Sequence, residues 1–271
     1  MIQIKDRPQP QLLLDELKTE KFGRKNAFFQ EIGSTNSYLK RNAAVLDNGF
    51  TAVANLQAGG RGRLGKSFES PSGGLYMSLL VKDLRAEDIS SATVKTGVAV
   101  CEALEEFLGL EHETLGIKWV NDILYDGKKV CGILCELVRY GNTNCLIVGI
   151  GLNILSISRK ASAEVRKRAY SLAEIAGDRA DEVIGPNVRE KLCAKILEKL
   201  EHYLYKDLSA CIETYRERSV VVGKNVYVVK GKDKIVKAHV YGITDDAKLC
   251  VHYDDGHFEM LYSGDVSIRP E

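Results

Sequence analysis

A short glycine-rich and basic segment, residues 57–67, constrains this chain more than any other part of its sequence. It contains four glycines and three cations but no acidic residue. The glycines let the backbone adopt positive φ angles and turn its N–H groups toward one side, while Arg61, Arg63 and Lys66 add full positive charge. Phosphate and carboxylate groups suit such a combination of amides and cations. The segment therefore predicts an anion-binding loop.

The same residues also match the phosphate-loop pattern G-x-x-x-x-G-K-S, which begins here at Gly60 and ends at Ser67. A phosphate loop leads from a strand directly into a helix. Residues 51–56 have the character of a strand, but Pro71 and the glycines after it prevent a helix from starting behind the loop. We therefore predict a loop between two strands. A phosphate loop and a solvent-exposed basic loop are the alternatives.

The overall composition makes the positive charge of this loop a local property. The 271 residues include 38 basic and 37 acidic side chains, so no general surface for binding polyanions is expected. The first residues lack the apolar run of a signal peptide, and no stretch approaches membrane-spanning length. We expect a cytoplasmic protein that has no membrane partner.

The cysteines and histidines indicate neither disulfides nor metal ligands. Seven cysteines form no C-x-x-C pair and are odd in number, and most lie in apolar runs, so we expect buried free thiols. The five histidines have no metal-ligand spacing. The protein's own side chains therefore predict no metal site.

The N-terminal part predicts two short helices around a strand. Residues 11–22 have an amphipathic pattern that ends at Gly23, and the chain before the strand at 27–32 is too short for a helix-turn-helix domain. No DNA binding is therefore expected. Ser34 or Thr35 then caps the second helix. Hydroxyl and amide groups at a helix start also suit a polar heterocycle, although capping alone explains them equally well.

The rest of the pattern separates a main domain from a small β domain. Strands at 75–81 and 145–150 and a helix at 89–108 predict a sheet covered by a helix, and residues 155–218 predict helices that support it from outside. From Ser219 onward, apolar residues recur at every second position, as in β-strands, which indicates a compact barrel. The predicted division is an N-terminal extension at 1–26, a main domain at 27–218 and a β domain at 219–271.

A second polar cluster follows the predicted strand that begins at Gly116. Lys118, Asn121 and Asp122 surround the only tryptophan of the chain, Trp119. Polar groups this dense at the end of an apolar strand indicate a site. The cluster is therefore a candidate partner for the basic loop.

Two further polar positions lie near predicted strand ends. Asp126-Gly127 fits a type I′ hairpin turn, but alternation along the next strand does not decide whether Lys128 or Lys129 points inward. Asn153 ends a strand among glycines, where its amide can read a base edge or make a turn.

Five motifs in this order resemble those of the biotin–protein ligases, also called biotin–acetyl-CoA-carboxylase ligases. They are Ser34-Thr35-Asn36, Gln57 with Gly60-Arg61-Gly62-Arg63-Leu64-Gly65, Lys118-Trp119-Val120-Asn121-Asp122, Gly132-Ile133-Leu134-Cys135-Glu136 and Gly149-Ile150-Gly151-Leu152-Asn153. The resemblance implies an α+β fold, with a catalytic domain like those of class II aminoacyl-tRNA synthetases and lipoate ligases. This domain has a mixed sheet flanked by helices, and an SH3-like barrel follows it. The chain looks like the monofunctional type, which has no winged-helix module.

The resemblance also implies two half-reactions. The carboxylate of biotin attacks the α-phosphate of ATP with Mg²⁺, which gives biotinyl-5′-AMP and pyrophosphate. A lysine of a biotin carboxyl carrier domain, such as that of acetyl-CoA carboxylase, then takes the biotinyl group as an amide. ATP and biotin are thus the expected substrates and Mg²⁺ the expected cofactor, and a homodimer is a possible assembly.

Each motif residue acquires an expected role from the resemblance. The biotin head group is expected at Ser34, Thr35, Asn36 and Gln57, and its acyl chain and activated carboxylate at Gly60, Arg61, Gly62, Arg63, Lys129 and Gly132. The nucleotide is expected at Arg61, Lys66, Phe68, Lys118, Asn121 and Asn153. The expected catalytic residues are Lys118, Arg63, Lys129 and Asp122. The cations would stabilise the charge that develops between two anions, and Asp122 would be a neighbouring or metal-side carboxylate.

A mixed anhydride hydrolyses easily in water, so we expect residues 59–67 to be mobile without ligand and ordered over the intermediate. Two other enzyme classes share parts of the pattern, namely lipoate ligases and phosphate-loop kinases. The rival that is not an enzyme is a transcriptional co-repressor that senses biotinyl-AMP. The short N-terminal part argues against that rival.

Overall fold

In the computed structural model, which describes residues 9–155, 162–230, 234–262 and 266–270, a seven-stranded mixed sheet forms the centre of the main domain. Its strands are β1 (Asn26–Ile32), β2 (Thr51–Gln57), β3 (Gly74–Lys82), β4 (Gly116–Lys118), β5 (Asp122–Tyr125), β6 (Lys128–Tyr140) and β7 (Thr143–Asn153). Their spatial order is β1-β2-β3-β7-β6-β5-β4. β1 and β2 pair in parallel, and the other neighbours pair antiparallel. The mixed sheet confirms the predicted fold class.

Helices cover both faces of this sheet. They are α1 (Pro10–Glu16), α2 (Thr35–Asn42), α3 (Ala86–Leu108), α4 (Ala163–Arg168), α5 (Leu172–Ala176), α6 (Ala180–Val183), α7 (Val188–Leu204) and α8 (Ile212–Glu217). The long helices α3 and α7 belong to the large core cluster, whereas Leu39 of α2 lies in a small second cluster with Ala52 and Leu80. Ser34 caps α2 as predicted, and Ser171 and Glu174 form the predicted capping box of α5. Such a cap contributes about 1 kcal/mol to stability.

The first helix is shorter than the sequence predicts. Helix α1 ends at Glu16, whereas the apolar pattern extends the prediction to residue 22. The carboxylate of Glu201 on α7 accepts hydrogen bonds from the backbone N–H groups of residues 20–22 at 2.7–2.9 Å. These amides are therefore bonded to a distant side chain and leave the helical path, while Phe22 is buried in the core.

The glycine-rich segment connects two strands, β2 and β3, so the phosphate-loop alternative is wrong. The chain folds back on itself: Phe68 N donates to Gly60 O at 2.9 Å, and Gly62 N donates to Lys66 O at 2.7 Å. One short 3₁₀ turn, Arg63–Gly65, lies at its tip, with Leu64 at φ 54° and Gly65 at φ 72°. The loop is therefore a hairpin-like arm.

The second hairpin settles which lysine points inward. Asp126 and Gly127 have φ angles of 47° and 71°, as the predicted type I′ turn requires. Leu124 pairs with Lys129, but Ile123 pairs with Cys131, so the residue between is an extra one in β6. This bulge changes the alternation, which is why a period-two pattern does not decide between the two lysines. Lys128 is exposed, and Lys129 is directed to Asp122.

A five-stranded antiparallel sheet forms the C-terminal part, as the change of period predicts, and it matches an SH3-like domain. Its strands are β8 (Asn225–Lys230), β9 (Lys234–Ile243), β10 (Leu249–Tyr253), β11 (Phe258–Leu261) and β12 (Val266–Pro270), in the order β11-β10-β9-β8-β12. Turns lie at the predicted positions 245–246 and 255–256. The predicted turn at 231–233 and the first eight residues lie outside the described residues. The boundaries at 26 and 218 remain predictions.

The end of the main sheet is attached both to α8 with the residue after it and to this C-terminal part. Ile117 N donates to the carbonyl oxygen of Arg218 at 2.6 Å, and the indole N–H of Trp119 donates to Ala247 O at 3.1 Å. The hydroxyl of Tyr215 also donates to Val120 O at 3.2 Å. These bonds fix the strand end that carries Lys118.

The cysteines agree with the prediction of free thiols that are mostly buried. Each of the seven cysteines has a free thiol, and five of them are buried, while Cys135 and Cys250 are half-buried. Across the helices in the described parts of the chain, none combines enough length and apolarity to cross a membrane.

Candidate active site

A cavity of about 550 Å³ opens at the ends of the central strands and brings most of the predicted site residues together. The basic loop, the start of α2 and the segment from β4 to β6 form its walls. The predicted residues that line it are Ser34, Thr35, Asn36, Gln57, Arg61, Gly62, Arg63, Lys66, Phe68, Lys118, Asn121, Asp122, Lys129 and Gly132. Residues nearly 100 positions apart in the chain therefore share one cavity.

Two predicted residues, Gly60 and Asn153, do not line this cavity. A Cβ atom on Gly60 would come within 2.3 Å of Phe68 O, so glycine is needed where the two sides of the loop approach each other. The amide nitrogen of Asn153 donates to the carbonyl oxygens of Lys129 and Tyr170 at 3.2 and 3.1 Å. In this structure, Asn153 therefore holds the backbone behind Lys129. Its predicted contact with a nucleotide remains a prediction.

One end of the cavity is lined by neutral, mostly buried hydrogen-bonding groups. Gln57 Oε1 accepts from Thr35 N at 2.9 Å, and Gln57 Nε2 donates to Ser70 Oγ at 3.0 Å. Ser34 Oγ accepts from Ser37 N at 3.3 Å. The caps and amides at this end, which we call the neutral end, are thus fixed in place without any ligand.

Asn36 is buried at the neutral end, with 5% of its surface exposed. Its Nδ2 donates to Glu136 Oε2 at 2.9 Å and to Leu134 O at 3.2 Å, and its Oδ1 lies 2.5 Å from Ser78 Oγ. A Cβ atom at Gly149 would come within 2.2 Å of this oxygen. The motif glycine therefore makes room for the Asn36 amide.

The opposite end, the cationic end, is centred on Asp122. Its Oδ1 lies 2.7 Å from Lys129 Nζ and its Oδ2 lies 3.5 Å from Lys118 Nζ, and the side chain is 18% exposed. Burial by itself raises the pKa of the Asp122 carboxyl, but Lys129 and Lys118 outweigh burial and hold that pKa below its ordinary value. The carboxylate is therefore charged and fixes both ammonium groups at the cavity wall.

Arg63 joins the loop to this end. Its Nη1 donates to Asn121 Oδ1 at 3.2 Å, and Asn121 Nδ2 donates to Ile133 O at 2.9 Å. Burial lowers the pKa of the Arg63 guanidinium, while the charge of Asp122 opposes that shift. Arg61 and Lys66 are exposed on the same loop. Together with the two lysines, these cations outnumber the carboxylates that line the cavity, so the cationic end can accept further anionic charge.

The aromatic ring of Phe68 lies between the loop and the sheet. Cβ atoms on Gly132 and Gly151, which are paired neighbours on β6 and β7, would come within 2.9 and 2.4 Å of the ring. Lys129 Nζ lies over the ring, 5.2 Å from its centroid, and makes a cation–π interaction with it. The two glycines thus provide a flat surface that accommodates an aromatic ring.

Some lining residues are not found by the sequence reading. Glu164 and Arg168 of α4 lie at the cavity and pair at 3.0 Å, so the prediction that residues 155–218 only support the sheet from outside is wrong here. Acidic and basic residues mixed on a short helix do not by themselves indicate a binding site. The motif that contains Gly149, Ile150 and Gly151 predicts no role for these three residues, because apolar residues and glycines indicate packing before binding.

The geometry does not form a magnesium site from protein groups alone. Mg²⁺ prefers oxygen ligands and commonly binds through one or two carboxylates together with substrate phosphates. Asp122 faces two ammonium groups, so a cation beside it would meet two like charges. Glu164 is paired with Arg168. The described residues therefore fit Mg²⁺ only where it arrives with a polyphosphate.

Two family models match the chain. Residues 28–153 match the Biotin/lipoate A/B protein ligase family, and residues 221–269 match the Biotin protein ligase C terminal domain. The first match contains the whole cavity apart from Glu164 and Arg168. The second match contains strands β8 to β11 and most of β12.

Relatives over nearly the full length agree with these matches. The chain is 27% identical to the biotin–[acetyl-CoA-carboxylase] ligase of Mycobacterium tuberculosis, over 97% of each chain. It is 27% identical to the bifunctional ligase/repressor BirA of Bacillus subtilis, over 93% of this chain and 76% of that protein.

Solved structures place the same fold around ligands. The biotin protein ligase of Aquifex aeolicus in complex with biotin and ATP has a TM-score of 0.74 and 27% identity, over 92% of this chain and 100% of that one. The biotin protein ligase of Leishmania major in complex with biotinyl-5-AMP has a TM-score of 0.63 and 26% identity, over 88% and 98%. This chain therefore belongs to the biotin/lipoate A/B protein ligase family and, through its C-terminal match, to the biotin protein ligases within it.

Proposed function

We propose that this chain joins biotin to ATP, with release of pyrophosphate, and then transfers the biotinyl group from biotinyl-5′-AMP to a lysine of a biotin carboxyl carrier domain. The observation that carries the proposal is the cavity itself, which has neutral hydrogen-bonding groups at one end and an excess of cations at the other. Biotin has a neutral ureido ring at one end and a carboxylate at the other. The two ends of the ligand and of the cavity correspond.

The ureido ring binds at the neutral end in this proposal. Gln57 Oε1 and the Thr35 hydroxyl offer acceptors for ureido N–H groups, and the Ser34 hydroxyl, which accepts from Ser37 N, offers its hydrogen to the ureido oxygen. A buried site that is built for hydrogen bonds rejects analogues that lack the matching groups. Recognition of the ring therefore depends on geometry fixed before binding.

The acyl-transfer chemistry takes place at the cationic end. The carboxylate of biotin and the α-phosphate of ATP are both anionic, so their approach requires fixed positive charge. Lys129 reaches the carboxylate, and Lys118 and Arg63 face the phosphorus centre and stabilise the leaving pyrophosphate. Asp122 keeps the two lysines in position. Mg²⁺ enters as part of the nucleotide substrate and neutralises phosphate charge there.

The second half-reaction uses the same end. The amine of the carrier lysine attacks the acyl carbon of the mixed anhydride, the bond from that carbon to the phosphate oxygen breaks, and AMP leaves with the electron pair. The loop residues Arg61, Arg63 and Lys66 hold the adenylate and exclude water until the amine arrives. Phe68 provides a stacking face for the nucleotide, and Asn121, which accepts a hydrogen bond from Arg63, serves the nucleotide side as well.

Biotin-dependent exchange of labelled pyrophosphate into ATP tests the first half-reaction. We expect exchange with biotin and none with lipoate or with fatty acids of similar length. Exchange that depends only on lipoate would show that the substrate is wrong, and phosphoryl transfer without exchange would indicate a kinase. A gel-shift experiment that detects DNA binding would support the co-repressor rival instead. Sedimentation with and without biotinyl-AMP tests whether the protein forms a homodimer.

A further inference from the structure

Partly exposed Glu136 and buried Ser78 form a hydrogen-bonded relay with Asn36 that the proposed chemistry does not use. Glu136 Oε1 pairs with Lys40 Nζ at 2.6 Å, and Glu136 Oε2 accepts from Asn36 Nδ2. Leu134 O accepts the second hydrogen of that amide. Because both neighbours on this side are acceptors, the Asn36 nitrogen must face them and its oxygen must face Ser78.

The orientation of the Asn36 amide determines which neighbour receives the hydroxyl hydrogen of Ser78. Ser78 Oγ lies 2.5 Å from Asn36 Oδ1 and 2.6 Å from Thr35 Oγ1, but it has one hydrogen to donate. Asn36 Oδ1 has none, so Ser78 donates to Asn36. In the short contact between Ser78 and Thr35, the Thr35 hydroxyl is therefore the donor and Ser78 Oγ the acceptor. If Thr35 instead donated to Gln57 Oε1 at 3.1 Å, two oxygens 2.6 Å apart would have no hydrogen between them.

The hydroxyl of Ser70 determines the orientation of the Gln57 side-chain amide. The Ser70 hydroxyl donates to Phe68 O at 3.0 Å, so it can only accept from Gln57, and Gln57 Nε2 must face it. Gln57 Oε1 is therefore turned toward Thr35, whose N–H it accepts. Thr35 Oγ1 and Gln57 Oε1 end as two adjacent oxygens that present lone pairs to the cavity.

We infer that Ser78 and Asn36, held by Glu136, are positioning residues that make Thr35 and Gln57 a paired acceptor for an N–H donor of the ligand ring. The inference rests on the proposed function, since it assumes that the ureido ring binds at the neutral end. It adds the reason why a ring with an oxygen in place of N–H is rejected: the lone pairs of that oxygen meet Gln57 Oε1, which has no hydrogen, and Thr35 Oγ1, whose hydrogen points to Ser78. Specificity for the ring thus depends also on Ser78 and Glu136, which do not line the cavity.

The test compares biotin with its two cyclic carbamate isomers, in each of which one ureido N–H is replaced by oxygen. Dissociation constants are measured by calorimetry with the full chain. In Ser78→Ala, the Thr35 hydroxyl loses its acceptor and can turn its hydrogen to the ring oxygen. We expect the preference for biotin over at least one isomer to fall about tenfold, while the KM for ATP stays within about twofold.

The ratio between ligands separates positioning from damage to the fold, because a damaged site weakens both ligands in parallel. Ser91→Ala is the matched control, since Ser91 is also buried but donates only within its own helix, and its ratio should equal that of the wild type. Glu136→Met removes one of the two acceptors of the Asn36 amide and should lower the ratio less than Ser78→Ala. The double variant should equal Ser78→Ala alone, because the two residues act in series.

The outcomes distinguish the relay from the proposed function. A wild-type protein that binds neither biotin nor the carbamates contradicts the function itself. A wild-type protein that prefers biotin, together with a Ser78→Ala variant that keeps the full preference, overturns the relay only. Additive effects of Glu136→Met and Ser78→Ala would overturn it as well. Should Ser78→Ala fail to fold, Glu136→Met alone still decides by the same ratio.

Discussion

The two ends of the cavity differ in how complete they are without a ligand. At the neutral end, Thr35, Asn36 and Gln57 are held by hydrogen bonds to one another and to neighbouring side chains. At the cationic end, Lys118 and Lys129 share one carboxylate, and Arg61 and Lys66 are exposed on a loop. The first end is preorganised by its internal hydrogen bonds. At the second end, cationic side chains outnumber carboxylates.

This difference explains how one cavity can select a ligand and also activate it. A neutral head group gains little from mobile charges and most from fixed donors and acceptors. Two reacting anions need positive charge that becomes balanced as they arrive. Substitutions at the neutral end should therefore act on biotin affinity, and substitutions at the cationic end on the rate and on retention of the intermediate.

Loss of Lys129 should have the largest effect. Lys129→Met removes the ammonium group that faces the reacting carboxylate, and removal of one such stabilising group costs about a hundredfold to a thousandfold in rate. We expect a fall of this size in the rate of adenylate formation, measured in single-turnover experiments, with biotin affinity within about tenfold of the wild type. Lys128→Met is the control, because Lys128 is the adjacent lysine but is exposed and lies over the ring of Tyr170. Equal losses in both variants would contradict the inward position of Lys129.

A pair of glycine substitutions should separate the two ends. A methyl group at Gly149 meets the fixed amide of Asn36, whereas one at Gly151 meets the Phe68 ring, which belongs to the loop and can move. Overpacking costs about 1–3 kcal/mol. We expect Gly149→Ala to weaken biotin binding about tenfold to a hundredfold and Gly151→Ala to change it less than about threefold, as measured by calorimetry. The reverse order would break the distinction between the ends.

The loop should control retention of the intermediate. Arg63→Ala removes the guanidinium that links the loop to Asn121, so biotinyl-AMP should leave about ten times faster, with an unchanged thermal unfolding temperature. Stopped-flow release of the adenylate measures this. Limited proteolysis should also cut residues 59–67 of the wild type less readily with biotin and ATP than without. Unchanged release would remove Arg63 from this role.

The smallest effect concerns acid stability. The pKa of Asp122 is lower in the folded protein than in the unfolded chain, so its contribution to stability is present above the ordinary aspartate value of about 3.9 and is lost as the pH falls through the folded value. Urea unfolding of the wild type and of Asp122→Asn should therefore show a larger stability difference at pH 7 than at pH 3. A difference that grows in acid would contradict the pairing with the two lysines.

Motif order and turn chemistry predicted much of this molecule. The capped start of α2, the Asp126-Gly127 turn and the period of two in the C-terminal part are local signals, and the structure confirms each of them. The mixed sheet and the shared cavity required the resemblance to the family, because no single segment reveals which strands are neighbours.

Long-range contacts and one local irregularity explain what the sequence did not predict. The early end of α1 depends on Glu201, a residue of another helix. The inward position of Lys129 depends on a bulge in β6 that alternation cannot detect. The contribution of α4 to the cavity depends on where a charged surface helix folds back. For α1 and α4 the deciding partner lies far away in the chain, whereas the bulge beside Lys129 lies within a local hairpin.

The most direct test of the central claim is transfer of biotin to a purified carrier domain by the purified protein with ATP and Mg²⁺, followed by mass spectrometry of the carrier. The claim is that one cavity selects a neutral head group and activates the carboxylate at its other end. It predicts a carrier with a single biotinyl group on one lysine, lost when ATP is omitted. An unmodified carrier, in the presence of folded protein that binds both substrates, would contradict it.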